Sequence, residues 1–218
     1  MTWSELTEIL GVGLQETAYM VGVSTLLTAV GGLLVGILLV LTDRGGLLAA
    51  PPLNAVLGLV VNVGRSLPFI ILLVAVIPFT RAVVGTTIGT SAAIVPLTIG
   101  AIPFFARIVE SAIREVPSDV VAAAVAMGAT RRQIIAKVLL REARPGLVAG
   151  LTITIIALVG YSAMAGVVGG GGLGDLAIRY GYQRFETEVM IATVVVLVVF
   201  VQLVQMLGDL VVRRLSHR

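Results

Sequence analysis

The sequence predicts an all-α integral membrane protein with five transmembrane helices, and three observations lead there. Hydrophobic residues make up 58% of the 218 and charged residues only 12%, about half the charged share of an ordinary soluble domain. Mean hydropathy is +1.08. The cations behind the net charge of +3 flank apolar runs and do not gather on one soluble face, which argues against nucleic-acid binding. A chain this poor in polar surface takes lipid as its solvent. Its length leaves room for one transmembrane domain, residues 1–218, and no second large one.

About 20 apolar residues cross a hydrocarbon core of ~30 Å. Thr17 to Thr42 carries no charge and gives the first span, 17–42. Gly45 to Thr80 is broken only by Arg65, and a second span is expected over 57–79. The uncharged run from Ala82 to Ala106 gives the third, 82–106; Pro145 to Gly174 the fourth, 145–174; and Val189 to Gly208 the fifth, 189–208. Ahead of the first, residues 2–15 read as a short interfacial segment with Trp3 in the headgroup layer. They contain no basic start such as a cleaved signal peptide has.

Lys and Arg set the orientation. With the N-terminus outside, the inner loops and tail hold Arg44, Arg107, Arg114, Arg131, Arg132, Lys137, Arg141, Arg144, Arg213, Arg214 and Arg218, against Arg81, Arg179 and Arg184 outside. The expected topology is N-out/C-in. Arg65 either snorkels to the inner interface or lines a wet cavity. Pro68, Pro78, Pro96 and Pro103 crowd spans two and three, and Gly32 with Gly36 forms a GxxxG pair. Each alone reads as ordinary packing, but their density favours a bundle around a cavity. There is no cysteine, so disulfides and Cys-based metal or redox chemistry are excluded. The single His217 reads as a solvated tail rather than a metal ligand.

The most informative stretch is the inner loop 107–144 between spans three and four. Pro117 and Ser118 suit a helix start. Val120, Val121, Ala124, Val125 and Met127 make a short apolar helix, and Gly128 stands where a left-handed cap ends it. Thr130 with Gln133 fits a capping box that opens a second helix, which turns Ile134, Ile135, Val138 and Leu139 to one side and Arg131, Arg132, Lys137 and Arg141 elsewhere. Such a hairpin has two readings from its physics: a surface element on the anionic leaflet, or an element that inserts into a groove on a soluble partner.

The run Ala122 to Leu140, AAAVAMGATRRQIIAKVLL, resembles the EAA loop of ABC importer permeases. Gly128 matches the family glycine, Ala123 and Ala124 the alanines, and Val138 the isoleucine of the later I-x-L-P. Ala122 replaces the family glutamate and Arg141 the proline, so a salt bridge from that glutamate cannot form. The stretches Arg65–Arg81, Gly89–Ala112 and Leu158–Met190, with their GYSAM and GGGGLG sequences, are similar to the methionine-import permease subfamily.

The resemblance implies a homodimer of this chain, two cytoplasmic ABC ATPases carrying ATP and magnesium, and an extracytoplasmic methionine-binding lipoprotein. It implies no catalytic residue and no cofactor on this chain. Coupling to the ATPase would fall to Ser118, Val121, Ala122, Ala123, Ala124, Gly128, Ala129, Thr130, Arg131, Gln133, Ile134 and Lys137. The expected function is methionine import, with no residue that fixes the enantiomer; the alternatives are an ABC permease for another small solute and an ATP-independent channel or facilitator.

Tyr161, Ser162 and Met164 lie in a small-residue stretch where a flexible thioether can line a narrow pathway, or simply pack. No acidic residue sits deep in an expected span, Glu16 and Asp209 falling near the ends, which disfavours proton or sodium relays. Gly169, Gly171 and Gly174 match GxGxxG but lack the strand-to-helix setting of a dinucleotide site, and read as a pliable outer turn. No phosphate loop or zinc-protease motif occurs.

Overall fold

The computed structural model describes residues 3–216 and is helical almost throughout. His217 and Arg218 lie outside the described residues. Helix α1 runs unbroken from Trp3 to Thr42, about 60 Å at 1.5 Å per residue. Residues from Trp3 onward are therefore not a separate interfacial segment. They contain no proline, and the expected first span simply continues toward the N-terminus.

The expected second span is broken. Helix α2 (Pro51–Ser66) and α3 (Phe69–Ala75) meet at 106°, and α4 (Ile77–Val84) follows. Pro68 bars its predecessor from helical backbone, and Leu67 is extended at φ −78°, ψ 126°. Arg65 is exposed in the last turn of α2. Gly85, at φ +82°, ends α4, so residues 82–89 do not open the next helix. Helix α5 instead spans Thr90–Arg114 and carries Pro96 and Pro103 inside it.

Helix α6 (Ser118–Ala126) leads through a turn to α7 (Arg131–Gln133), which continues as a π-helical stretch, Ile134–Leu139, into α8 (Leu140–Glu142). Helix α9 (Arg144–Gly166) ends eight residues before the expected limit, because Gly169, Gly171 and Gly172 all take φ near +80°, a conformation open to glycine. Helix α10 (Gly172–Leu176) passes through a π-helical stretch, Ala177–Tyr182, before α11 (Thr187–Ser216).

Among the described residues four helices, α1, α5, α9 and α11, are long and apolar enough to cross a membrane, and the bent α2–α3 pair brings the number to five if it counts as one span. The centre is the parallel packing of α1 on α5. Thr17, Met20, Ser24, Thr28, Gly32 and Gly36 are buried along one stripe of α1. A Cβ on Gly36 would stand 2.6 Å from the Ala106 carbonyl oxygen, and one on Gly32 2.8 Å from the Phe105 ring. The GxxxG pair thus serves close helix approach. Around that axis Leu97, Ala101, Phe69, Leu73, Leu158 and Val159 fill the core. The outward faces of α2 and α11 stay apolar and uncovered, with Leu59, Val60, Val195 and Val198 all about half exposed or more, as lipid or a second apolar surface requires.

Candidate coupling and translocation sites

The helical hairpin between α5 and α9 forms by local rules. Pro117 is the N-cap of α6 and Asp119 lies in its first turn. At the other end the Gly128 amide donates to the Val125 carbonyl at 2.9 Å, and the Ala129 amide to the Ala124 carbonyl at 3.0 Å. With Gly128 at φ +77° this is a Schellman ending, which satisfies carbonyls the helix cannot satisfy itself. Thr130 then starts α7 with a complete capping box: the Gln133 amide donates to Thr130 Oγ1, and Gln133 Oε1 accepts from the Thr130 amide at 2.8 Å. Two helix ends are sealed within six residues.

The hairpin is fastened to the bundle by one face only. Ala124, Ile134 and Leu139 are buried with Phe105, Val109, Ala112 and Ile113 of α5, and Val121, Ala129 and Val138 pack at the margin. Ser118, Ala122, Ala123, Gly128, Thr130, Arg131, Gln133 and Lys137 are exposed. Of the twelve residues singled out, the structure therefore puts eight on the free face and four against the bundle. Met127 was not among them and is 81% exposed at the turn; its position one residue before the capping glycine was the available signal.

Beside the hairpin lies a charged cluster that the sequence reading used only to count cations. Glu110 is buried in α5 and pairs with Arg107 one turn before it and Arg114 one turn after. Arg114 reaches Glu110 Oε1 from Nε at 3.1 Å and from Nη2 at 3.0 Å. Each guanidinium has a second partner off the helix. Arg107 Nη2 donates to Asn62 Oδ1 of α2 at 2.9 Å, and Arg114 Nη2 donates to Asp43 Oδ2, just past α1, at 2.7 Å. Hydrogen bonds from Arg114 and then from the Arg44 amide hold the Asp43 carboxyl below its usual range. Nearby, Asn54 Nδ2 donates to the Leu39 carbonyl at 2.6 Å and to Thr42 Oγ1 at 3.1 Å, tying α2 to the end of α1. Arg107, Glu110 and Arg114 are spaced i, i+3 and i+7, one helix face, and that spacing was readable in the sequence. Their partners were not.

At the far end of α9, Tyr161 stacks on Phe69 of α3 with centroids 4.6 Å apart and rings 7° from parallel. Met164 is 47% exposed. Ser162 is buried and donates to the Val159 carbonyl at 2.8 Å. The three expected pathway residues therefore part company: Tyr161 and Met164 have surface, while Ser162 faces the packed interior.

The glycine tract that follows is held firmly. Glu16 Oε2 accepts from the Gly172 amide at 2.7 Å, and Thr17 Oγ1 accepts from the Leu173 amide at 2.9 Å. Gly89 donates its amide to the Gly169 carbonyl at 2.8 Å. A Cβ on Gly174 would lie 2.4 Å from the Ala163 backbone, so α10 folds back on α9 at backbone contact. The expected pliable turn is pinned on three sides and sits in an all-helical setting. A cavity of about 500 Å³ opens alongside, lined in part by Glu8, Glu16, Asp175 and Arg179.

Comparison with known proteins places these features in company. Residues 32–218 match the family model described as binding-protein-dependent transport system inner membrane component. The chain is 57% identical over 203 residues, 93% of its length and 90% of the relative's, to a probable D-methionine transport system permease protein of Vibrio cholerae. It is 44% identical to the methionine import system permease protein of Bacillus subtilis, over 83% of this chain and 82% of that one. Among solved structures, a chain of an inward-facing MetNI methionine ABC transporter superposes with a TM-score of 0.96 at 51% identity, over 99% of both chains. An amino acid ABC transporter crystallised with histidines shares the fold at TM-score 0.80 and 20% identity.

Proposed function

The chain belongs to the binding-protein-dependent transport system inner membrane components, and from that premise we infer that it is the permease subunit of a bacterial methionine importer. It is a multi-pass protein of the inner membrane, and ATP hydrolysis lies on a separate ABC ATPase subunit. Two copies form the transmembrane part of the complex. An external methionine-binding lipoprotein delivers the solute, and the N-terminus lies outside and the C-terminus in the cytoplasm. The excess of Lys and Arg in the inner segments supports that topology, and all five spans and the coupling segment belong to one permease domain.

The observation that carries the coupling reading is the α6–α7 hairpin: rigid, sealed at both helix ends, seated on α5 by one face and bare on the other. A segment built like this suits a cleft in a moving partner better than it suits membrane lipid. The small exposed side chains Ala122 and Ala123 allow close approach, and Arg131, Gln133 and Lys137 offer a polar rim. Ser118 opens α6 as its first, exposed residue, while Val121, Ala124, Ala129 and Ile134 hold the hairpin to the bundle. When the ATPases close on ATP, the hairpin moves with its seat and α5 follows. Nucleotide shifts the equilibrium only through different affinity for the two arrangements. Tyr161 and Met164 border the translocation pathway, with Ser162 as packing behind them.

The test is ATP-dependent uptake of labelled methionine into proteoliposomes holding this chain, its ATPase and the binding protein. Gly128→Pro runs beside it, because proline fixes φ near −65° where the turn needs +77°. Uptake that requires ATP and is lost in the variant is the expected result. Uptake without ATPase would make the chain a facilitator, and ATP-coupled activity without methionine uptake would change the solute.

A further inference from the structure

We propose that Glu110 is a positioning residue for energy coupling: it gathers Arg107 and Arg114 into a clamp that makes the α1–α2 hairpin move with α5. The proposal rests on the function inferred above and adds the route by which movement of α6 reaches helices that α6 does not hold.

The geometry carries it in three steps. First, α6 hangs on the end of α5 by the short connection Glu115–Pro117, and the buried side chains Ala124, Ile134 and Leu139 press on Val109, Ala112 and Ile113. A displacement of α6 is thus a displacement of the last turns of α5. Second, those same turns carry Arg107, Glu110 and Arg114. Glu110 lies 20 residues into α5, about 30 Å along its axis, which puts it at the inner boundary of a bilayer when the helix begins at the outer one. Third, the two guanidiniums reach away from α5 to different places on the α1–α2 hairpin, Asn62 in α2 and Asp43 beyond α1.

The carboxylate is what makes this one device. Arg107 and Arg114 balance Glu110 and Asp43 within the bonded group. Glu110 accepts from both arginines, and each arginine is thereby held in the rotamer that reaches its remote partner. A buried carboxylate satisfied by charged donors holds its geometry strongly, and losing it leaves two guanidiniums on one helix face repelling each other. Apolar packing already joins α1 to α5, with Phe105 and Val109 seated over Gly32 and Gly36. The clamp adds a directional, charge-assisted restraint at the end where force is applied and extends it to α2.

The experiment uses the complete complex in proteoliposomes and measures methionine imported per ATP hydrolysed for the native chain, Glu110→Gln, Glu110→Asp and Asn62→Ala. Because the chain has no cysteine, Val56→Cys in α2 or Ala126→Cys in α6 can each take a spin label, read between the two copies with and without a non-hydrolysable nucleotide. Glu110→Gln should assemble, hydrolyse ATP and lose import per ATP by about five-fold or more, the low end of a coupling between distant sites. The nucleotide-dependent shift should persist at α6 and shrink at α2, with Glu110→Asp restoring part of it. An import ratio and an α2 shift that match the native chain would overturn the proposal. Should Glu110→Gln fail to assemble, Asn62→Ala decides, since it cuts one branch at an exposed residue. It should lower the ratio less than the loss of both branches, and an unchanged ratio overturns the clamp. A native complex that imports no methionine would sink the functional reading alone, and the α2 shift would still test the clamp.

Discussion

The backbone at Gly128 isolates the energetic worth of the hairpin turn. Nothing lies within 4 Å of where its Cβ would be, so a side chain there meets open space and pays no steric cost beyond its own backbone. That cost is the left-handed conformation, φ +77°, roughly 1–2 kcal/mol for an ordinary L-residue. It is smaller for asparagine, which tolerates this region, and larger for a β-branched residue. An increase of 1–2 kcal/mol lowers the ratio of closed to open turn by roughly 5–30-fold. The amide of Ala129 reports that ratio directly, because its proton is held by the Ala124 carbonyl only while the turn is closed. Hydrogen exchange at Ala129 should therefore accelerate about 5–30-fold in Gly128→Ala, less in Gly128→Asn and more in Gly128→Val, with methionine uptake falling in the same order. If asparagine loosens the turn as much as alanine, or valine no more than alanine, backbone strain is not what glycine relieves here.

Two further outcomes follow from packing. Gly36→Leu should lower the thermal unfolding temperature of the detergent-solubilised chain by an amount equivalent to about 1–3 kcal/mol, because its Cβ alone meets the Ala106 carbonyl and Val109 at 2.6 Å; Gly22→Ala, with nothing within 4 Å, should be neutral or slightly stabilising. Met164→Ala, at a half-exposed site on the proposed pathway, should raise basal ATP hydrolysis or leak in proteoliposomes, and a variant indistinguishable from native would remove Met164 from the pathway.

What could be read from the sequence was what is decided locally. Gly128, Thr130 and Gln133 announce their hairpin because a cap is a contract among residues a few positions apart, and the structure forms both caps. The second apolar run was expected as one span across Pro68, and the 106° turn of the chain there is set by what α3 meets. Phe69 and Leu72 lie over Gly100 of α5, and Phe69 stacks on Tyr161; no local rule supplies those contacts. The N-terminal extent of α1 was missed for a different reason. Glu5, Glu8 and Glu16 end an apolar run without ending a helix, and a hydropathy boundary is not a backbone boundary. Ser162 looked like a pathway residue by its neighbours, yet helix phase turns it inward. The Glu110 cluster shows the limit most plainly: the i, i+3, i+7 spacing was visible, but Asn62 and Asp43 stand 45 and 71 residues from the arginines they hold.

The bonds from Glu16 and Thr17 to the first amides of α10 join residues 156 positions apart, and this sets an order of events during synthesis. Helix α1 leaves the ribosome well before α10, carrying a carboxylate and a hydroxyl whose partners are made 156 residues later. Contacts of such sequence separation are slow to close, and until they close the polar pair at residues 16 and 17 must stay at a wet boundary of the bilayer. The first helix is therefore an open socket until the glycine tract is made, and that tract is the plug that closes it.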